Sequence, residues 1–114
     1  MWSEKFPLVF YRTLTGHEPV REWLKELPED DRKLIGRDLQ RLQFRWPVGM
    51  PLARPLMRGL AEVRTALRGN RIARVLFFVE RGRIGVVHGF IKKTERTPKA
   101  DLELALARMK EMLE

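Results

Sequence analysis

The segment Arg74–Ile91, RVLFFVERGRIGVVHGFI, constrains this chain more than any other. Two nearly continuous apolar runs flank a charged Arg81-Gly82 pair, and a two-residue connection ending in glycine is a β-hairpin signal. The runs, 71–80 and 83–91, lack the polar alternation of a half-exposed strand, so both faces of this hairpin are expected to be covered. Any fold must therefore supply a layer on each side of it. Without a bulge, the turn pairs Val79 with Ile84 and Val75 with His88, which puts His88 on the face opposite Arg74. A bulge, at Gly85 or Gly89 for instance, would reverse that placement.

The flanking sequence supplies the layers. Residues 6–12, FPLVFYR, read as a first strand, with Pro7 suited to its start or to an edge. Glu18-Pro19 opens a helix, with proline in the first turn, where its missing N–H costs nothing. Val20, Trp23, Leu24 and Leu27 form one helical face. Pro28 closes that helix, and Glu29, Asp30 and Asp31 crowd the start of a second, where the helix dipole favours negative charge. Leu34, Ile35, Leu39 and Leu42 give its buried side, so a helical hairpin is expected over about 18–44.

Trp46-Pro47 to Pro55 reads as a loop, and Leu56–Leu60 as a short strand or an extended lead-in. Glu62–Leu67 alternates like a half-exposed strand. Gly69-Asn70 marks a turn. Thr97-Pro98 predicts a helix start with Thr97 as N-cap. Leu102, Ala105, Leu106, Met109 and Leu113 form that helix's stripe. The order β-α-α-β-β-β-α predicts one α+β domain over residues 1–114, with a largely antiparallel twisted sheet of about four strands.

Composition removes several functions. The chain has 114 residues and no cysteine, which excludes disulfides, zinc–thiolate centres and cysteine nucleophiles. No apolar run reaches the roughly 18 residues of a membrane span. The N-terminus lacks a signal-peptide layout, so a cytoplasmic protein is expected. Two histidines without a carboxylate cluster do not suggest a metal site. The net charge of +8 is concentrated: residues 54–99 hold twelve Lys/Arg against three Asp/Glu, a net of +9. Such a surface fits a polyanion or an acidic protein partner.

Arg64, Arg68, Arg71 and Arg74 fall on successive strands and their turn, and arginine suits bidentate phosphate contacts. Arg74 opens an apolar run, so it must be paired, for instance with Glu62, or used. His88 is a candidate proton carrier near neutral pH. Lys92 and Lys93 follow the last strand and point to alternate faces. Arg96 and Lys99 stand at the entry to the final helix, where free N–H groups favour an anion.

The pieces LAEVRTAL, RVLFFVERGRIGVVHGF and KKTERTPKADLELALARMKEML, with PVREWLKELP in the helical hairpin, resemble the phage-derived, HigB-like branch of the RelE/ParE toxin superfamily over essentially the whole chain. The resemblance implies a RelE-like fold and the toxin of a type II toxin–antitoxin pair. It implies a ribosome-dependent endoribonuclease cutting mRNA in the ribosomal A site, without metal or cofactor. The RNA 2′-hydroxyl would attack the adjacent phosphorus.

By motif, Arg64, Arg74, Lys92 and Lys93 are the implied catalytic cations, with His88 as the provisional proton carrier. Arg68, Arg71, Arg96 and Lys99 would bind RNA. The implied partner is a small helix-turn-helix antitoxin. The chain departs from relatives that carry a tyrosine after the last strand, since Tyr11 is its only one. It also has Glu62 where relatives can carry a lysine. A gyrase inhibitor of the ParE type or a degenerate toxin on the same scaffold is the alternative.

Overall fold

The computed structural model describes residues 5–47, 52–92 and 96–114. Strand β1 (Leu8–Phe10) leads into helices α1 (Pro19–Glu26) and α2 (Glu29–Arg45). Strands β2 (Ala53–Met57), β3 (Leu60–Ala66), β4 (Ile72–Glu80) and β5 (Arg83–Lys92) follow, and helix α3 (Lys99–Leu113) ends the chain. Among the described residues these strands form one five-stranded sheet in the order β1-β5-β4-β3-β2. β1 runs parallel to β5, and the other three pairings are antiparallel. The α+β class and the largely antiparallel sheet agree with the sequence reading. The additional strand is β2, whose first residues fall in the proline-rich stretch read as a loop. Pro55 is tolerated there because β2 is an edge strand, whose outer N–H positions need no partner.

Helices α1 and α2 cross from one sheet edge to the other and cover one face. Val20, Ile35, Leu39 and Leu42 pack there on Ala61, Val63, Ala73, Val75, Phe77, Ile84 and Val86. Trp46 meets Phe77 edge-on, with ring centroids 5.6 Å apart. Helix α3 covers the other face, setting Ala105 and Met109 against Leu60, Leu76, Phe78, Val87 and Phe90, with Leu102, Leu106 and Met112 at the rim. The predicted α3 stripe holds except at Leu113, which is 46% exposed; Met112 packs in its place. Both layers required by the hairpin are thus present.

The hairpin turn is as read: Glu80 pairs with Arg83, and Arg81 and Gly82 both adopt positive φ (50° and 74°), the geometry of a type I′ turn. Its register then shifts by one residue. Leu76 pairs with His88 but Phe77 pairs with Val86, so Val87 is a bulge. The unbulged pairing of Val75 with His88 is therefore replaced by Val75 with Gly89, and His88 joins the face that carries Arg74. Gly85 and Gly89 serve close packing instead. A Cβ on Gly85 would stand 2.4 Å from the Phe78 ring, and one on Gly89 2.5 Å from the Trp23 ring.

Buried acids tie the helices to the sheet. Arg71 makes a bidentate pair with Asp31 at the start of α2, at 2.8 and 3.0 Å, and Thr65 donates to Asp38 at 2.7 Å. The hydrogen bonds from Arg71 hold the Asp31 carboxyl below the usual carboxylate range, against an opposing effect of burial. A carboxyl depressed by folding adds stability above its unfolded pKa of about 3.9, and that stability is lost as pH falls through its lower folded value. Asp31→Asn is accordingly expected to be less stable than wild type at pH 7, with the difference narrowing below about pH 4. Urea unfolding at pH 7 and pH 3 checks this; an equal deficit at both values contradicts it.

Candidate nucleic-acid interface

The α3 side of the sheet collects the candidate cations because of strand alternation and the Val87 bulge. Arg64 of β3 lies opposite Arg74 of β4, which lies opposite Phe90 of β5. Glu62 and His88 occupy the adjacent row across Leu76, and Lys92 is two residues beyond Phe90 on the same face. Like charges directly across a strand pair repel, so a counter-charge is required. Glu62 supplies it: its Oε2 stands 3.8 Å from Arg74 Nε, and both side chains are essentially inaccessible, at 1% and 0% exposure. The Arg74 guanidinium also lies 5.9 Å from the centroid of the Phe90 ring.

Thr97 completes this buried centre by donating to Glu62 Oε2 at 2.6 Å. The hydroxyl read as the N-cap of α3 is therefore used elsewhere: α3 begins at Lys99, Pro98 stands at the cap position, and no side chain caps the helix. A buried carboxylate costs more when left unsatisfied than a solvated helix end does, which explains the exchange.

A second cluster is held by one acid of α3. Asp101 Oδ1 lies 2.7 Å from His88 Nε2, and Oδ2 accepts from Lys92 Nζ at 2.9 Å. His88 and Asp101 side chains are each 15% exposed. The largest influence on Asp101 is desolvation, which opposes its charge. The hydrogen bonds and charges of His88 and Lys92 together outweigh it and hold the carboxyl below its ordinary value. Lys92 Nζ also lies 5.3 Å from the Phe90 ring centroid, and the His88 and Phe90 ring centroids are 5.5 Å apart. An ionised carboxylate only accepts, so Nε2 is assigned as the donor to Asp101, and Nδ1 is the other ring nitrogen.

The nine cations and proton carriers expected from sequence are thus distributed unequally. Arg64, Arg74, His88 and Lys92 share one face. Lys93 lies outside the described residues. Arg64 is half-buried and forms no ion pair among the described residues. Arg71 is committed to Asp31, while Arg68, 85% exposed, lies 3.7 Å from Asp30 on the α2 side of the molecule. Lys99 is 88% exposed beside Glu103, one helical turn away. Arg96 is exposed and lines a groove with Arg54, Thr97 and three apolar side chains.

Asp101 and Arg54 were not singled out in the sequence. Asp101 resembles an ordinary first-turn helix acid, and Arg54 falls in a stretch that reads as loop. Tyr11 is far from the candidate residues in sequence, but β1 brings it beside β5. Its hydroxyl donates to Glu111 of α3 at 3.0 Å, and Arg108 lies over its ring while donating to the Val87 carbonyl. Burial first, and then Glu111, raise the pKa of the phenol, so Tyr11 serves as an anchor for α3.

Among the described residues no group of His, Asp and Glu side chains could hold a metal ion. No helix there is long and apolar enough to cross a membrane. Comparison with family models matches residues 22–110 to the family described as Phage derived protein Gp49-like (DUF891). The match spans both helix layers and the sheet from β2 to β5, so the chain belongs to this phage-derived family, part of the RelE/HigB-like toxin superfamily. A search of curated proteins found no match.

Proposed function

We propose that this member of the Gp49-like family is the toxin of a toxin–antitoxin pair and a metal-independent endoribonuclease that cuts mRNA on the ribosome. The observation that carries the reading is the convergence of His88 and Lys92 on Asp101, on a sheet face shared with Arg64. RNA self-cleavage needs a base for the 2′-hydroxyl, positive charge for the phosphoryl oxygens and a proton for the leaving oxygen. In our reading His88 Nδ1 takes the 2′-hydroxyl proton while Asp101 holds the ring. The 2′-oxygen bonds to phosphorus and the P–O5′ bond breaks. Lys92 neutralises charge on phosphorus and delivers a proton to the 5′-oxygen, leaving a 2′,3′-cyclic phosphate and a 5′-hydroxyl.

Arg64 binds the phosphate directly. Arg74 acts from beneath through its charge, since direct contact requires the Thr97 segment to move off Glu62. Lys93 adds a further cation after β5. A helix-turn-helix antitoxin neutralises the protein by covering this basic face. Induced expression tests the reading: growth arrests, and mapped transcripts carry new ends within translated codons. Lys92→Ala lowers cleavage by about 100-fold or more, consistent with loss of one charge-stabilising group, while the protein stays folded. Arrest with intact mRNA would instead place the target elsewhere, such as gyrase.

A further inference from the structure

Beside the Glu62–Arg74 centre, a groove of about 380 Å³ runs between β2 and the segment leading into α3. Among the described residues it is lined by Arg54, Leu56, Met57, Arg96, Thr97 and Leu102. Thr97 forms a shared wall, because its hydroxyl is the one that bonds Glu62. Arg54 pairs in register with Glu62 and therefore presents its side chain on the same face as Arg64 and Arg74. Arg54 forms no ion pair among the described residues. Met57 is 42% exposed and adds apolar surface to the groove lined by the two arginines. The volume lies within the range of small-ligand clefts, roughly 300–1,000 Å³.

We propose that this groove seats one nucleotide of single-stranded RNA next to the cut, its phosphate on Arg54 and Arg96 and its base against Leu56, Met57 and Leu102. The proposal rests on the reading of the chain as an RNA-cutting toxin and adds to it a position that grips substrate without reacting. Charge favours an anionic occupant such as this over a neutral or basic peptide. Arg54 and Arg96 belong to the stretch 54–99, which carries a net charge of +9 from twelve basic and three acidic residues. The geometry of the edge favours it too. A peptide joining β2 as an added strand needs a row of backbone donors, and Pro55 interrupts that row. The side-chain face, lined by two arginines and three apolar side chains, is the surface that remains.

The test uses the full chain and a short, fluorescently labelled 2′-O-methyl single-stranded RNA, which has no free 2′-hydroxyl and is not cut. Arg54→Ala is expected to weaken binding about tenfold and to flatten the dependence of log K on log salt by about 0.7, the loss of one phosphate contact on a single strand. Met57→Ala is expected to weaken binding several-fold, but to leave unchanged the weaker binding of an abasic oligonucleotide of equal length. In ribosomal cleavage assays Arg54→Ala raises KM with little change in kcat, as for a residue that binds substrate and transition state alike.

Unchanged affinity and salt slope in Arg54→Ala would overturn the proposal, including the case in which that variant impairs only the capture of a protein partner. Equal effects of Met57→Ala on normal and abasic strands would overturn the base assignment. Failure of the nuclease reading looks different: wild type would cleave nothing, while Arg54→Ala would still weaken oligonucleotide binding.

Discussion

Glu62→Leu is expected to cost this protein about 3–5 kcal/mol of stability, the range for removing one partner of a buried ion pair. Arg74 is inaccessible to solvent and is ion-paired with Glu62, itself inaccessible and bonded by Thr97. Removing that carboxylate takes a counter-charge from a buried guanidinium under α3, and it also frees the Thr97 hydroxyl, so the segment entering α3 loosens with the core. At this chain length the loss corresponds to a fall in Tm on the order of 10 °C. Adding Arg74→Met is expected to restore most of it, because replacing a buried pair by apolar side chains of similar volume is often close to neutral. Urea unfolding of wild type, the single variant and the double variant measures both effects. A single variant within 1 kcal/mol of wild type would mean that the pair behaves like a surface contact and that Arg74 is not held as described.

His88→Gln is expected to lower the cleavage rate by 10²- to 10⁴-fold, the usual contribution of a positioned acid or base, with binding of uncleavable RNA retained. Glutamine can still reach Asp101, so packing under α3 survives while proton transfer does not. Asp101→Asn acts through the other two residues: it loosens His88 and leaves Lys92 without its carboxylate. Its cleavage rate is expected to fall less than that of His88→Gln, mainly in kcat. Single-turnover cleavage at saturating toxin, with circular dichroism on each variant, separates chemistry from folding. If His88→Gln cuts at the wild-type rate, the imidazole is structural and another group carries the proton.

Much of the fold could be read because its strongest signals are local. The apolar runs flanking Arg81-Gly82, the Glu18-Pro19 helix start and the acids of Glu29–Asp31 each act within a few residues, and each appears where expected. The parts that resisted reading depend on contacts across the chain. The Val87 bulge leaves no mark in composition, yet it moves His88 from one face to the other. The apolar run implies that Arg74 is either paired, for instance with Glu62, or used, but not that Thr97 leaves its capping role to complete the hydrogen bonds of Glu62. Asp101 looks like any acid in a first helical turn until α3 docks over β5. The first residues of β2 read as loop because Pro55 is unfavourable in most strands and acceptable at an edge.

The reading of the site stands on the claim that RNA supplies its own nucleophile and that His88, Asp101 and Lys92 manage the protons. The most direct measurement is the chemistry of the ends made when purified protein acts on programmed ribosomes. The account predicts 2′,3′-cyclic phosphate and 5′-hydroxyl termini, formed in the presence of excess EDTA and lost when the residue 5′ of the cut carries a 2′-deoxy sugar. Cleavage that persists on the 2′-deoxy substrate, or that leaves a 5′-phosphate, would contradict it.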